Sequence, residues 1–115
     1  MRLKSGIVVS ALVRRANGVG AFAAVRRRGA EEAGAIFVKV TQLDGSAALY
    51  GPAMPSLFGT DDPGERRFRT VVAPGSPEAE AEARMVREID FDPDLWFVEI
   101  EDREGRHFLE LSEEG

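Results

Sequence analysis

Cysteine is absent from this chain of 115 residues, and histidine, tryptophan and tyrosine occur once each. Without cysteine the chain has no disulfide, no thiolate nucleophile and no zinc site built on sulfur, which suits a reducing compartment. The apolar stretch at residues 6–13 is far shorter than the roughly 20 residues of a membrane-spanning helix, and it ends at Arg14 and Arg15. We therefore expect a folded element there instead of a secretory signal, and a cytoplasmic protein that does not contact a membrane.

The composition fits one globular core. Hydrophobic residues make up 43% of the chain, and a chain of this length buries one ordinary core but not two. We therefore expect a single domain over residues 1–115. Residues 1–50 carry eight basic and three acidic side chains, whereas residues 51–115 carry seven basic and seventeen acidic ones. This asymmetry predicts that the two halves attract each other within the fold or between subunits.

A helix is predicted near the start of the chain. Ser5 is a suitable N-cap, apolar residues recur at helical spacing over residues 7–12, and Asn17-Gly18 would end the helix. A strand over residues 7–10 is the alternative, because β-branched side chains are frequent there.

Two β-hairpins are predicted next. Residues 21–28 and 35–42 have strand-like patterns and are joined by a small polar loop, which favours a hairpin. Asp44-Gly45 favours a second hairpin with a two-residue loop, since both positions of that turn need a positive φ. In that register the predicted cross-strand pairs are Val40 with Leu49 and Lys39 with Tyr50.

Residues 51–64 have the proline and glycine content of a loop, and a strand over residues 66–73 follows. The apolar residues Met54, Leu57 and Phe58 lie inside the loop, which suggests that it folds back onto the domain.

The second helix is predicted to begin at Ser76-Pro77-Glu78. These residues supply a capping hydroxyl, a proline for the first turn and a carboxylate near the positive end of the helix dipole. The apolar residues that would form its buried stripe are Ala79, Ala83, Val86 and Ile89.

A β-hairpin is predicted at the C-terminus. Residues 95–102 and 107–111 alternate in polarity on either side of Glu104-Gly105, and the apolar pattern pairs Ile100 with Leu109 and Val98 with Leu111. The expected fold class is α+β, with a mainly antiparallel sheet of five to six strands, two helices and this C-terminal β-hairpin.

Four segments of the chain resemble a family of short alphaproteobacterial proteins, the domain of unknown function numbered fourteen-ninety-one. These segments are residues 1–7, 21–25, 49–52 and 91–96. The resemblance extends over essentially the whole chain. It implies a compact bacterial protein, and it supplies no activity and no functional residues.

Two motifs in the sequence match ligand-binding patterns only in part. Asp90, Asp92, Asp94 and Glu101 occupy the first, third, fifth and twelfth places of a calcium loop, but Leu95 stands where that loop needs glycine. A helix-to-strand connection with solvated carboxylates is therefore favoured. The other motif, Gly18, Gly20 and Ala23, has the loose spacing of a dinucleotide-binding loop. It follows a predicted helix instead of a strand, so the end of a helix and the start of a strand are favoured there.

Acid–base chemistry has two candidates in the predicted C-terminal hairpin. Glu99, Glu101 and Glu110 would share one face, where neighbouring carboxylates can act as acid and base. His107 would lie opposite Asp102, but no serine is connected to it by spacing. We favour an exposed acidic face and a structural histidine, and we expect no catalytic residue, no cofactor and no metal.

The remaining candidate site is a basic sheet face with one aromatic ring, where cations can follow phosphates and the ring can stack on a base. Its candidate contacts with nucleic acid or a protein partner are Arg26, Arg28, Lys39, Tyr50, Arg67 and Arg69. We expect a non-catalytic domain that binds a protein partner or itself. A single-stranded nucleic-acid-binding module is the alternative, and a small hydrolase-like enzyme is the third hypothesis.

Overall fold

The computed structural model describes residues 3–54 and 66–112. Two helices and five strands follow one another along the chain in the order α1 (Ser5–Gly18), β1 (Phe22–Arg27), β2 (Ile36–Thr41), β3 (Ser46–Pro52), β4 (Phe68–Pro77), α2 (Glu78–Phe91) and β5 (Trp96–Glu101).

The strands form one sheet in the spatial order β1-β5-β2-β3-β4. β2 and β5 are parallel, and every other neighbouring pair is antiparallel. The predicted α+β class, with two helices and a mostly antiparallel sheet, is confirmed. Among the described residues, no helix is long and apolar enough to cross a membrane.

The two faces of the sheet carry separate hydrophobic clusters, because successive side chains of a strand point to opposite faces. On the first face, α1 packs on β1 and β5 and buries Val9, Leu12 and Ala16. On the second face, α2 packs on β3 and β4 and buries Ala81 and Met85. The helices therefore lie over different halves of the sheet, one on each side.

The start of α1 is attached to the loop between β1 and β2. The N–H groups of Ser5 and Gly6 donate to the carbonyl oxygens of Glu32 and Glu31, which satisfies groups that a helix start leaves without partners. The helix is where the sequence predicts it, but Ser5 is not its cap. Its buried hydroxyl donates to the carbonyl oxygen of Gly34 at 2.6 Å.

The predicted hairpin of β1 with β2 is wrong, because β5 lies between these strands. The β1–β2 loop instead bonds to the segment that leads into β5. The Ala30 N–H donates to the Asp94 carbonyl at 2.8 Å, and the Trp96 indole N–H donates to the Ala30 carbonyl at 2.8 Å. Gly29 fits there because a Cβ would lie 2.3 Å from the Asp94 oxygen.

The β2–β3 hairpin is confirmed, but its register differs from the prediction by one residue. Val40 pairs with Ala48, Lys39 with Leu49 and Val38 with Tyr50. The loop has three residues instead of two, since the Gln42 N–H bonds to the Ser46 carbonyl and Gly45 adopts a φ of 85°. A slip of one residue reverses which side chains share a face. Lys39 and Tyr50 consequently lie on opposite faces.

The second helix begins near the predicted position, but its buried stripe is rotated. Ala81 and Met85 are buried, whereas Ala79, Ala83 and Val86 are exposed. Ile89 is half-buried against the second cluster. The stripe prediction is wrong for the first three because Glu78 and Glu82 turn towards Lys39.

The predicted C-terminal hairpin is also wrong. β5 already has β1 on one side and β2 on the other, so residues 107–111 find no free edge there. They run to β4 instead, where the Phe68 N–H donates to the Glu110 carbonyl at 2.9 Å and the Ser112 N–H donates to the Phe68 carbonyl at 2.8 Å. Phe108, Leu109 and Leu111 pack on the first cluster.

The predicted loop at residues 51–64 is described only in part. Gly51 and Pro52 belong to β3, and Met54 is 80% exposed, which is contrary to the expected packing of this side chain on the domain. Leu57 and Phe58 lie outside the described residues.

Candidate functional site

A cluster of five charged side chains connects α2 to the second face of the sheet. Lys39 is 1% exposed, and its ammonium group donates to Glu78 at 2.8 Å and to Glu82, with Glu99 3.5 Å away. Arg26 donates to Glu82 at 2.6 and 3.1 Å and to Glu99 at 2.9 Å. We call these residues the charged cluster, and its three carboxylates outnumber its two cations.

The protonation states in the charged cluster are fixed by its contacts. Burial alone would lower the pKa of Lys39, but the hydrogen bonds to Glu78 and Glu82 outweigh it and hold that pKa above its ordinary value. The hydrogen bond from Arg26 lowers the pKa of Glu82. The guanidinium of Arg26 also lies over the ring of Phe97, at 4.7 Å from its centroid. Lys39 and Arg26 are therefore held against α2 in charged form.

The structure does not bring the six residues of the predicted basic face together. Lys39 is buried on the second face, while Tyr50 is 3% exposed on the first, with its ring 4.9 Å from that of His107. Arg28 lies over the ring of Trp96 at 5.2 Å, and Arg69 is exposed. Arg67 is half-buried. Whether the exposed arginines contact a partner stays a prediction.

A cleft of about 350 Å³ opens at the edge of the sheet where β5 ends and β1 begins. Gly20, Phe22 and Leu43 line one part of it, and the turn at 101–106 lines the rest. Phe22 is 68% exposed and Leu43 is 70% exposed. The parallel strands β2 and β5 both end beside this cleft, which is where ligands bind in many sheets with parallel strands. Its walls combine the apolar side chains of Phe22 and Leu43 with the charged side chains of the turn.

Asp102 organises the turn at this cleft. Its carboxylate is 4% exposed and accepts hydrogen bonds from the N–H groups of Glu104 and Arg106 and from the Arg106 guanidinium at 2.7 and 3.1 Å. These bonds, led by that of the guanidinium, lower the pKa of Asp102 to about 2. Arg106 also donates to the Val19 carbonyl at 3.3 Å. The Asp102 carboxylate therefore stays ionised, and its hydrogen bonds hold the turn that forms this wall of the cleft. Its oxygens are already occupied as acceptors.

The predicted acid–base candidates are separated in space. Glu99 is in the charged cluster, Glu101 lines the cleft and Glu110 is exposed beside β4. His107 does not contact Asp102. Its Nδ1 accepts the Leu109 N–H at 2.9 Å, and burial lowers its pKa.

The two partial motifs have the local structures that the sequence favours. Asp92 accepts the Asp94 N–H at 3.0 Å in the connection from α2 to β5, whereas Glu101 lies at the far end of β5, about 20 Å along the strand. Within residues 3–54 and 66–112, no group of three or more acidic or histidine side chains is arranged to hold a metal ion. Gly18 ends α1, and Ala23 belongs to β1.

Half of the second face is left uncovered by the described residues. α2 packs on β3 and β4, and its cluster also buries Phe97 of β5, but it leaves open the side chains that the ends of β1 and β5 nearest the cleft direct to this side of the sheet. We call these residues the open half-face; they are Phe22, Ala24, Glu99 and Glu101, paired across the two strands. Phe22 and Glu101 also line the cleft, so both features form one continuous surface.

Comparison with known proteins identifies the family. The model of the family described as "Protein of unknown function (DUF1491)" matches residues 3–110. This chain belongs to the DUF1491 family. The resemblance predicted from the sequence is thereby confirmed. No curated protein matches the chain.

Solved structures of similar proteins share the fold of this DUF1491 chain. A protein of A. tumefaciens, known from a solution structure, is 51% identical with a TM-score of 0.81, over 96% of this chain and 95% of that one. A DUF1491 protein of Caulobacter crescentus, known from a crystal structure, is 41% identical with a TM-score of 0.80, over 97% of this chain and 99% of that one. The fold is therefore that of the family.

Sequence reasoning missed the burial of Lys39 and the role of Asp102. Lys39 stands between apolar residues in β2, and all six residues of this strand are buried. A strand with apolar residues on both faces is typically buried on both faces, so the sequence around Lys39 was a signal that the lysine lies inside. Asp102 and Arg106 are four residues apart in a turn, a spacing that helices use for ion pairs and that carries no such meaning in a turn.

Proposed function

We propose that residues 1–115 form one non-catalytic cytoplasmic domain that binds a protein partner through the open half-face and the adjoining cleft. The absence of cysteine supports the reducing compartment. The observation that carries the proposal is the exposure of Phe22, a large aromatic side chain that is 68% exposed in a regular strand of the sheet.

The contrast between the two faces of β1 and β5 supports this surface. On the first face α1 buries Ala23 and Ile100 of these strands. On the second face Phe22 and Ala24 remain exposed, and Leu43 extends the apolar surface into the cleft. Exposed aromatic side chains with charged neighbours are typical of protein interfaces.

The proposal is tested by purifying tagged protein from its native cell, with and without nuclease. Wild type is compared with Phe22→Asp and with Ile7→Asp, since Ile7 is also a large apolar residue, 51% exposed, but lies on α1. We expect wild type and Ile7→Asp to retain the same protein partner and Phe22→Asp to lose it. Retention of nucleic acid alone, or an equal yield of the partner with both variants, would overturn the proposal.

A further inference from the structure

The second face of the sheet has room for two helices, and the residues that the structure describes place one there. Five strands at a spacing of about 4.8 Å span roughly 19 Å between the outer strands, and packed helices lie about 8–10 Å apart. α2 occupies the half over β3 and β4. The open half-face is thus the floor of a lane that runs alongside α2 over β1 and β5, and the Arg26–Glu82 ion pair crosses this floor at the level of Phe97.

The wall of this lane is an apolar flank of α2. Glu82 marks the side of α2 that faces β1, because it contacts Arg26. At 100° per residue, Ala79 and Val86 lie on this same side of the helix, beyond Glu82, whereas Ala83 points away from the sheet, opposite Ala81 and Met85. All three are exposed, and Val86 is 62% exposed. Ala79 and Val86, which the sequence predicts to be buried, are therefore available to a neighbouring helix.

The charge around the lane selects the occupant. Glu82 and Glu99 already accept hydrogen bonds from Arg26, and Lys39 is enclosed. Among the described residues of the lane and the adjoining cleft, carboxylates still outnumber the accessible cations: the acids are Glu82, Glu99, Glu101, Asp102 and Glu104, and the cations are Arg26, Arg103 and Arg106. Resting on the proposed function, we infer that the partner inserts a basic amphipathic α-helix, with its apolar stripe on Phe22, Ala24 and Val86 and its lysines or arginines near the carboxylates.

The two described helices of a second copy of this chain do not supply such a helix. α2 carries glutamates at positions 78, 80, 82 and 88, which the acidic lane would repel. α1 has two arginines and no acidic residue, but Val9, Leu12 and Ala16 of its apolar side are already buried in the first cluster. The occupant is therefore a different protein.

The inference is tested by calorimetry and amide-shift mapping with two designed helical peptides of about 18 residues, a length at which a helix is stable enough to form on the surface. The peptides share one leucine and alanine stripe and differ only in lysine or glutamate on their flanks. We expect the lysine peptide to bind at least tenfold more tightly and to shift the amides of Phe22, Ala24 and Val86.

Variants of the protein test whether the bound peptide lies on the lane. Val86→Glu and Glu101→Lys are expected to weaken the lysine peptide by about tenfold, and Ile7→Glu is expected to leave it unchanged. Equal binding of both peptides, shifts confined to other surfaces, or no binding of either would overturn the inference. If the purification from cells still gives a partner that Phe22→Asp loses, the protein-binding function stands and only the helical, basic nature of the partner is wrong. If that purification fails as well, both are wrong.

Discussion

Lys39 shows how the environment of one side chain depends on the register of its strand. With a two-residue loop after β2 it would share a face with Tyr50, and the sequence would place both on an exposed basic surface. With the three-residue loop it points to the second face, where α2 encloses it and Glu78 and Glu82 accept hydrogen bonds from its ammonium group. A buried cation requires such partners, because its desolvation is otherwise too costly.

Replacement of Lys39 by methionine tests this role. Lys39→Met keeps most of the apolar stem but leaves Glu78 without its cation and leaves Glu82 and Glu99 with Arg26 alone, so we expect the free energy of unfolding to fall by about 2 kcal/mol. Arg84→Met is the control, since Arg84 forms a partly exposed pair with Glu88 at 2.7 Å, and its loss should cost about 0.5 kcal/mol. Urea unfolding measures both. Equal losses in the two variants would show that Lys39 is no more than a surface cation.

The strands and helices could be placed from the sequence, whereas their pairing could not. Local apolar patterns depend on neighbours in the chain, and they placed the seven described elements, with a strand left open as the alternative for α1. The predicted caps were wrong, since neither Ser5 nor Ser76 caps its helix. The insertion of β5 between β1 and β2 depends on contacts some 70 residues apart in sequence, such as the Arg26–Glu99 pair. Long-range contacts, those of Glu78 and Glu82 with Lys39, also set the rotation of α2. The open half-face results from the strand order and from this rotation.

Asn17 protects the outer edge of β1, which is one end of the sheet. Its side-chain amide accepts the Ala23 N–H at 2.8 Å and donates to the Ala23 carbonyl at 3.2 Å, as a neighbouring strand would. Exposed strand edges pair readily with other chains, so an amide in this place blocks edge-to-edge association.

Removal of this amide is expected to open the edge. Asn17→Ala leaves the Ala23 backbone groups without their partner, so we expect a stability loss of about 1–2 kcal/mol and self-association that grows with concentration in sedimentation velocity. Gln42→Ala is the matched control, because Gln42 also donates its amide to a backbone carbonyl, that of Arg103 at 3.0 Å, but away from any strand edge. Asn17→Ala that stays monomeric at high concentration would contradict the blocking role.

Across the molecule, the charge asymmetry of the chain is partly used in joining its two halves. The first half contributes Arg26 and Lys39 to the charged cluster, and the second contributes Glu78, Glu82 and Glu99. The predicted attraction between the halves within the fold is confirmed at this cluster. The acids that remain exposed on the second half give the open half-face its negative charge.

The contribution of the charged cluster to the free energy of unfolding should depend on pH. The pKa of Glu82 is lowered from 4.5 in the folded state, so its stabilising effect is fully present above pH 4.5 and is lost as the pH falls through the lower, folded value. We expect Glu82→Gln to be less stable than wild type by about 1 kcal/mol at pH 7, with a difference that shrinks below pH 4.5. Glu88→Gln, in a local helix pair, should show a smaller difference. A wild-type advantage over Glu82→Gln that is constant from pH 7 to pH 3 would contradict this coupling.

The most direct measurement of partner binding at the open half-face is photocrosslinking in the native cell. A photoreactive amino acid replaces Ala24 in one strain and Ala11 in another, since both are exposed alanines and Ala11 lies on α1, away from the second face. The predicted result is one discrete adduct with another protein from position 24 and none from position 11. Absence of an adduct at position 24, or the same adduct at both positions, would contradict the assignment of this surface as the binding site.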